Sequence, residues 1–190
     1  MFRSTLLIVQ RLSDRLLLVP GLVGGFQRKS PGAVADLLRW IDDTETAMSG
    51  HGMVAAADLA GLKARILAPT FDDDRRTGAR RRQFAAAVAL VHDLQQATQD
   101  ALRPLSAKVE QTRGLVRQLL QIVAQSGAVQ YDPASDATTM VEQIWALATA
   151  HEQLRPMVAQ MRSLLPADDI RMLLAEEFDP MDFPLATSTR

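Results

Sequence analysis

The stretch FAAAVALVHDLQQATQDALRPLSAKVEQTRGLVRQLLQIV, residues 84–123, decides the fold. Its apolar residues recur every three or four positions, which places them on one face of an α-helix. With the flanking residues, the pattern predicts one helix over about 78–126. Two successive steps of four interrupt the alternation at Pro104, and such a stutter locally unwinds a coiled coil. Because a proline also removes a helical hydrogen bond, we predict a bent helix there, with two helices broken at Pro104 as the alternative.

A second apolar seam follows a turn near Tyr131. Its spacing predicts a second long helix over about 136–165, kinked at Pro156. Two long helices joined by a short turn form an antiparallel hairpin, in which Pro104 and Pro156 would lie at one level. The predicted fold class is all-α: a helical bundle built on a long, antiparallel, proline-kinked hairpin. The members of the second seam are Met140, Ile144, Leu147, His151, Leu154, Val158, Met161 and Leu165.

Shorter helices are predicted outside the hairpin. Ser30-Pro31 has the form of a helix start, with serine as the N-cap and proline first, and Gly50-His51-Gly52 has the form of a helix end. The predicted organisation is an amphipathic, apolar N-terminal segment and linker over 1–29, a helical bundle over 30–177 and a flexible tail over 178–190. The shorter helices are expected at about 31–49, 53–68 and 167–177.

The N-terminal segment is amphipathic over residues 2–19, and Pro20-Gly21 should end its helix. Its apolar side is expected to face the bundle, a second subunit, or a membrane surface whose headgroups the arginines would meet. A membrane span is not expected, because three charged residues would lie near its middle. The apolar side consists of Phe2, Leu6, Val9, Leu12, Leu16 and Val19.

The composition narrows the classes of function. The 190 residues carry a formal net charge of −1 and no cysteine, which removes thiolate metal sites and thiol nucleophiles. A charge near zero argues against a dedicated nucleic-acid binder. None of the three histidines has Asp or Glu three or four residues away, so the Glu-x-x-His pair of di-iron bundles is missing. No catalytic motif is present, and neither a cofactor nor a metal is predicted.

His151 is the polar residue of the second seam. The hairpin register places it near Gln111 and Thr112, so we predict a buried, hydrogen-bonded histidine that fixes the register. A pH-responsive switch is the alternative role, because histidine titrates close to neutral pH.

The most charged stretch is TFDDDRRTGARRR, residues 70–82. Aspartates suit the start of a helix and arginines do not, so the simplest interpretation is a solvated helix start. The alternative is a patch that binds an anion or an acidic partner. Its arginines would be Arg75, Arg76, Arg80, Arg81 and Arg82.

The predicted function is a non-enzymatic helical scaffold or interaction protein, either a homo-oligomer or a subunit of a bacterial assembly. The first alternative is a peripheral membrane or granule-surface protein anchored by residues 2–26. The second is a ligand-binding helical regulator. The expected partners are proteins, with a membrane surface as the alternative and nucleic acid not expected. The expected location is the cytoplasm, with membrane-peripheral attachment as the alternative.

Overall fold

The computed structural model describes residues 4–69, 78–133 and 135–185. Within these ranges the chain is all-α, as the sequence predicts. The helices α2, α3 and α7 begin and end within two residues of the expected bounds. The elements are α1 Thr5–Gln27, α2 Ala33–Gly50, α3 Ala55–Leu67, α4 Ala79–Ser126, α5 Ala137–Ala150, α6 Arg155–Leu164, α7 Ala167–Glu177 and a 3₁₀ turn Pro180–Asp182.

The helix α4 is a single helix of 48 residues with Pro104 inside it. This agrees with the prediction of one helix over about 78–126, and the alternative of two helices is wrong. Leu94 before the proline and Val109 after it are both buried. Burying several such side chains, each contributing about 1.5–3 kcal/mol, outweighs the roughly 3 kcal/mol that an interior proline costs. The bend at Pro104 and the antiparallel hairpin stay predictions.

The predicted second long helix over 136–165 is wrong. The helix α5 ends at Ala150, a turn follows, and α6 begins at Arg155. Pro156 is the second residue of α6, where a helix needs no N–H partner, so it starts a helix instead of kinking one. The spacing of apolar residues continues across the break because α5 and α6 each bury a row of apolar side chains. The predicted pair of matched kinks is therefore also wrong.

The helix α1 continues through Pro20, so the predicted helix end there is wrong. Pro20 withholds an N–H group from the carbonyl of Leu16. One residue earlier, the indole N–H of Trp40 donates to the carbonyl of Arg15 at 2.7 Å. The guanidinium of Arg15 also pairs with Asp43 at 2.9 Å. These two contacts from α2 hold α1 at the level where its own hydrogen bonding is interrupted.

The apolar side of α1 is packed into the chain's own core. Leu6, Leu12 and Val19 are buried, Val9 and Leu16 are half-buried, and Phe2 lies outside the described residues. Leu12 and Val19 belong to the buried core of the first unit, and a membrane or subunit contact of this helix stays a prediction. Among the described helices, none combines the length and the hydropathy of a membrane span.

The chain divides into two compact units. The first unit is residues 7–105, where α1, α2, α3 and the beginning of α4 share one core. Leu12, Leu37 and Leu59 are fully buried there. The second unit is residues 1–6 with 106–190, which contains α5, α6, α7 and the end of α4.

Two contacts organise the second unit. Asp169, almost fully buried in α7, accepts hydrogen bonds from the hydroxyl of Ser4 and the N–H of Thr5, each at 2.6 Å. A distant carboxylate thus caps the first turn of α1 and complements its dipole. The buried Trp145 ring has the guanidinium groups of Arg162 and Arg171 at 5.4 and 5.8 Å from its centre.

The beginning of the predicted flexible tail is docked. Phe183 is buried against Phe178, with ring centres 5.2 Å apart. The N–H of Tyr131 donates to the carbonyl of Pro184 at 2.8 Å. The flexible-tail prediction is therefore wrong up to residue 185, because aromatic packing holds this segment, and residues 186–190 lie outside the described ranges.

Candidate functional site

A groove in the first unit lies between the start of α2 and the start of α4. Its volume is about 690 Å³, a size typical of ligand pockets. Half-buried apolar side chains form its floor and exposed cations form its rim, so we call it the cationic groove. Its lining consists of Lys29, Ser30, Pro31, Val34, Ala35, Leu38, Arg80, Arg81, Gln83 and Phe84.

The floor of the groove is fixed by core packing. Val34 and Leu38 lie one turn apart on α2, and both pack against the buried core of the first unit. Phe84 of α4 meets Phe26 of α1 edge to face, with ring centres 5.3 Å apart. Because each floor residue also contacts the core, the shape of the groove is set by three helices together.

Lys29 reaches the rim from a backbone conformation that favours glycine. Its φ is 52°, in the left-handed region. Its N–H donates to the carbonyl of Phe26 at 2.9 Å. The next N–H, of Ser30, donates to the carbonyl of Gly25 at 3.0 Å, which completes the Schellman pattern of a helix end. The same pattern ends α2, where the left-handed residue is Gly52 with φ 69°.

The first turn of α2 lies beside the groove. The helix begins at Ala33 without a side-chain cap, so the predicted N-cap at Ser30 is wrong, because a turn separates that residue from the helix. Among the described residues, the N–H groups of Val34 and Ala35 have no acceptor, and both residues line the groove. Uncapped N–H groups at the positive end of a helix dipole favour an anion.

The start of α4 adds charge at the same place. Arg80 and Arg81 lie in its first turn, which contains no acidic residue. A helix start repels cations, so these arginines do not help α4 to form. The groove therefore lies near the positive charges of these arginines and of Lys29. The positive ends of the α2 and α4 dipoles add to them.

Some described cations of the first unit form ion pairs with carboxylates, and the cations of the groove are among those that do not. Within the described ranges, Lys29, Arg80 and Arg81 form no ion pair, and no carboxylate lines the groove. Four other cations of the unit have carboxylate partners, and the hydrogen bond that Lys63 donates to Asp42 raises the pKa of Lys63. The ion pairs among the described residues of this unit are Arg15 with Asp43, Arg39 with Asp36, Lys63 with Asp42 and Arg103 with Asp100.

The predicted anion patch and the groove overlap in two arginines. Arg75 and Arg76 lie outside the described residues, and Arg82 is half-buried without lining the groove. Sequence reasoning missed Lys29 and Phe84, because only the folded chain brings them to the arginines. The sequence does contain one signal for Lys29. This residue follows a helical segment directly, at the position of the helix end where glycine is usual and no glycine stands.

The prediction of a buried His151 is wrong. His151 is exposed and ends α5, and its N–H donates to the carbonyl of Leu147 at 2.9 Å. Thr112 is fully buried, but its hydroxyl donates to the carbonyl of Lys108 on its own helix at 2.8 Å. Gln111 is exposed. The pH-switch alternative loses the buried position on which it depended.

The groove can hold an anionic group beside an apolar one, but it contains no acid–base pair. Its polar side chains are one hydroxyl, one amide and three cations. In the described ranges, no group of three or more histidine and acidic side chains could hold a metal ion. Comparisons of the chain with protein-family models, with curated proteins and with solved structures found no match.

Proposed function

We propose that this protein is a non-enzymatic helical interaction protein that holds an acidic, apolar-faced segment of a partner protein in the cationic groove. The groove combines an apolar floor with three cations that have no carboxylate partner among the described residues, and this combination carries the proposal. An amphipathic acidic segment satisfies both features at once, since its apolar side chains cover the floor while its carboxylates pair with the rim.

The dimensions of the groove suit a short helix. On the α2 side, the lining of the groove runs from Pro31, in the turn before α2, to Leu38 in the helix, a length of about 10 Å. A helix of two to three turns presents apolar side chains at i, i+3 or i+4, and i+7 over that length. Its acidic flanks then face Lys29 on one side and Arg80 and Arg81 on the other.

The competing functions have less support. Membrane attachment through residues 2–26 has less support because Leu12 and Val19, two of the apolar residues it would use, belong to the buried core of the first unit. Catalysis by paired acid and base groups has less support, because Lys29 is the one side chain of the groove lining that commonly exchanges a proton and no described carboxylate or histidine lines the groove beside it. Binding of an acidic partner segment uses the cations and apolar side chains that line the groove.

The test is fluorescence anisotropy with two synthetic helical peptides of about 11 residues, or three turns. The acidic peptide has leucine at the apolar positions and glutamate elsewhere; the basic peptide has lysine in place of glutamate. We expect the full chain to bind the acidic peptide 1:1 and the basic peptide not at all. The Arg80→Glu, Arg81→Glu double variant should bind the acidic peptide at least tenfold more weakly, a loss of about 1.4 kcal/mol.

The matched control is the double variant Arg11→Glu, Arg65→Glu, which makes the same charge change at exposed positions of the first unit outside the groove. It should keep the affinity of the wild type, and added salt should weaken binding in both. Equal affinity of the wild-type chain and both double variants would show that the peptide does not use the groove, and the proposal would fail.

A further inference from the structure

A short segment of the second unit has the chemistry that complements the groove. Residues 176–185, EEFDPMDFPL, contain four carboxylates and no base. Met181 is 88% exposed and Leu185 is 67% exposed. Asp182 is exposed between them and forms no ion pair with another described residue. The segment thus presents apolar side chains on both sides of an available carboxylate.

The segment is held in one conformation. The ring of Phe183 is buried against Phe178, and the N–H of Tyr131 donates to the carbonyl of Pro184 at 2.8 Å. The exposed side chains therefore project from a fixed backbone. Because its backbone is already ordered, the segment loses little conformational entropy when it binds.

We propose that the groove of one copy binds the segment Met181–Leu185 of a second copy, so that the chain associates with itself head to tail. The proposal rests on the proposed function, because it names the occupant of the same groove. Met181 packs on Phe84, since a flexible thioether adapts well to an aromatic ring. Asp182 pairs with the arginines of the rim, which supply the donors for its carboxylate.

The charges of the two units favour this occupant. Residues 7–105 contain thirteen Lys and Arg against eleven Asp and Glu. Residues 1–6 with 106–190 contain eight Lys and Arg against eleven Asp and Glu. Opposite charge steers a positive surface toward a negative one and disfavours contacts between like surfaces. Two copies therefore meet preferentially through different units.

Such a contact joins two different surfaces, so it is heterologous and can propagate into a ring or a filament. Each copy has one groove and one segment, and both are available in every chain. The contact is smaller than the roughly 1,600 Å² of a standard stable interface, so we expect association at about 10–500 μM protein.

Sedimentation velocity of the full chain tests the proposal with two variants. The groove variant carries Arg80→Glu and Arg81→Glu, and the segment variant carries Met181→Ala and Asp182→Lys. Each variant alone should remain a monomer at concentrations where the wild type associates. Mixed 1:1, the variants should form a heterodimer that does not grow, because one intact groove then meets one intact segment.

The control variants Arg11→Glu with Arg65→Glu, and Glu152→Lys, change charge at exposed positions outside the groove and the segment. They should associate as the wild type does. Self-association is overturned if the mixture stays monomeric, or if either the groove or the segment variant associates like the wild type. A wild-type chain that stays monomeric but binds the acidic peptide also overturns it, and leaves a different partner protein as the occupant. Failure of both experiments overturns the proposed function as well.

Discussion

The helix α4 carries arginines in two contrasting settings. Near its start, Arg80 and Arg81 line the cationic groove and pair with no described carboxylate. Farther along, Arg113 and Arg117 share Glu177: their nitrogens lie 2.7 and 2.6 Å from its two carboxylate oxygens. Along this part of α4, Glu177 of α7 is the carboxylate partner of arginines that stabilise the fold. At its start the arginines have no such partner among the described residues, and we propose that an acidic segment of a partner pairs with them.

The ion pairs around Glu177 also shift the pKa values of the residues that form them. The Glu177 side chain is 14% exposed. The hydrogen bond from Arg117 is the main cause that lowers the pKa of Glu177, and Arg113 adds to it against the opposing effect of burial. The hydrogen bond to the same carboxylate raises the pKa of Arg113. Contacts of this kind stabilise the folded state, whereas the groove arginines have no comparable contact.

The largest expected effect comes from removing the shared carboxylate. Glu177→Ala leaves Arg113 partly buried without its shortest partner, so the free energy of unfolding should fall by about 2 kcal/mol. Urea denaturation followed by circular dichroism measures the change. The control Glu152→Ala, at an exposed position in the turn after α5, should change it by less than about 0.5 kcal/mol. Equal losses in the two variants would mean that the ion pair does not stabilise the fold.

The pH dependence of stability follows from the same pair. Because the pKa of Glu177 in the folded state lies below its ordinary value of 4.5, the pair stabilises the fold fully above that value. The contribution is lost as the pH falls through the folded-state pKa. The unfolding free energies of the wild type and Glu177→Gln should differ by a constant amount above about pH 5 and converge below about pH 4.5. A difference that stays constant down to about pH 2 would contradict this assignment.

A smaller effect is expected at the left-handed positions that end α1 and α2. Lys29→Gly should raise the free energy of unfolding by about 0.5–1 kcal/mol, because glycine relieves the strain at φ 52°. It should also weaken binding of the acidic peptide. Gly52→Lys places the same strain at the end of α2 and should lower stability by about 1 kcal/mol without changing peptide affinity. If Lys29→Gly leaves peptide affinity unchanged, Lys29 does not contribute to the groove.

The smallest expected effect on stability is at the groove arginines. Replacing Arg80 and Arg81 by glutamate removes cations from a helix start that disfavours them, so the free energy of unfolding should rise by about 0.5 kcal/mol. The same double variant should lose peptide binding. Chemical denaturation of this variant therefore separates lost binding from lost folding. A drop of more than about 1 kcal/mol would show that these arginines serve the fold after all.

The periodicity of apolar residues predicts a helix correctly where the residues that it places on one face are also the residues that the fold buries. It placed the long helix α4 because burial continues on both sides of Pro104. It failed between α5 and α6, since the same spacing of apolar residues persisted through a turn and put the exposed His151 on a supposedly buried seam. The expectation that proline ends a helix failed at Pro20, because the hydrogen bond from Trp40 that holds α1 comes from another helix.

The candidate site could be predicted only in part, for a related reason. A run of charge identified Arg80 and Arg81, since charge density is visible in a single stretch of sequence. Lys29 and Phe84 belong to stretches that meet only when α1, α2 and α4 pack together. The left-handed backbone of Lys29 could not be anticipated either, because the segment around it resembled a linker.

The left-handed backbone at Lys29 also predicts which residues laboratory selection would favour at position 29. In a library randomised at position 29 and sorted only for survival of heating, glycine and asparagine should displace lysine, since both adopt the left-handed conformation readily. The same library sorted for capture of an acidic peptide should return lysine and arginine. At this one position, selection for durability and selection for recognition favour different residues.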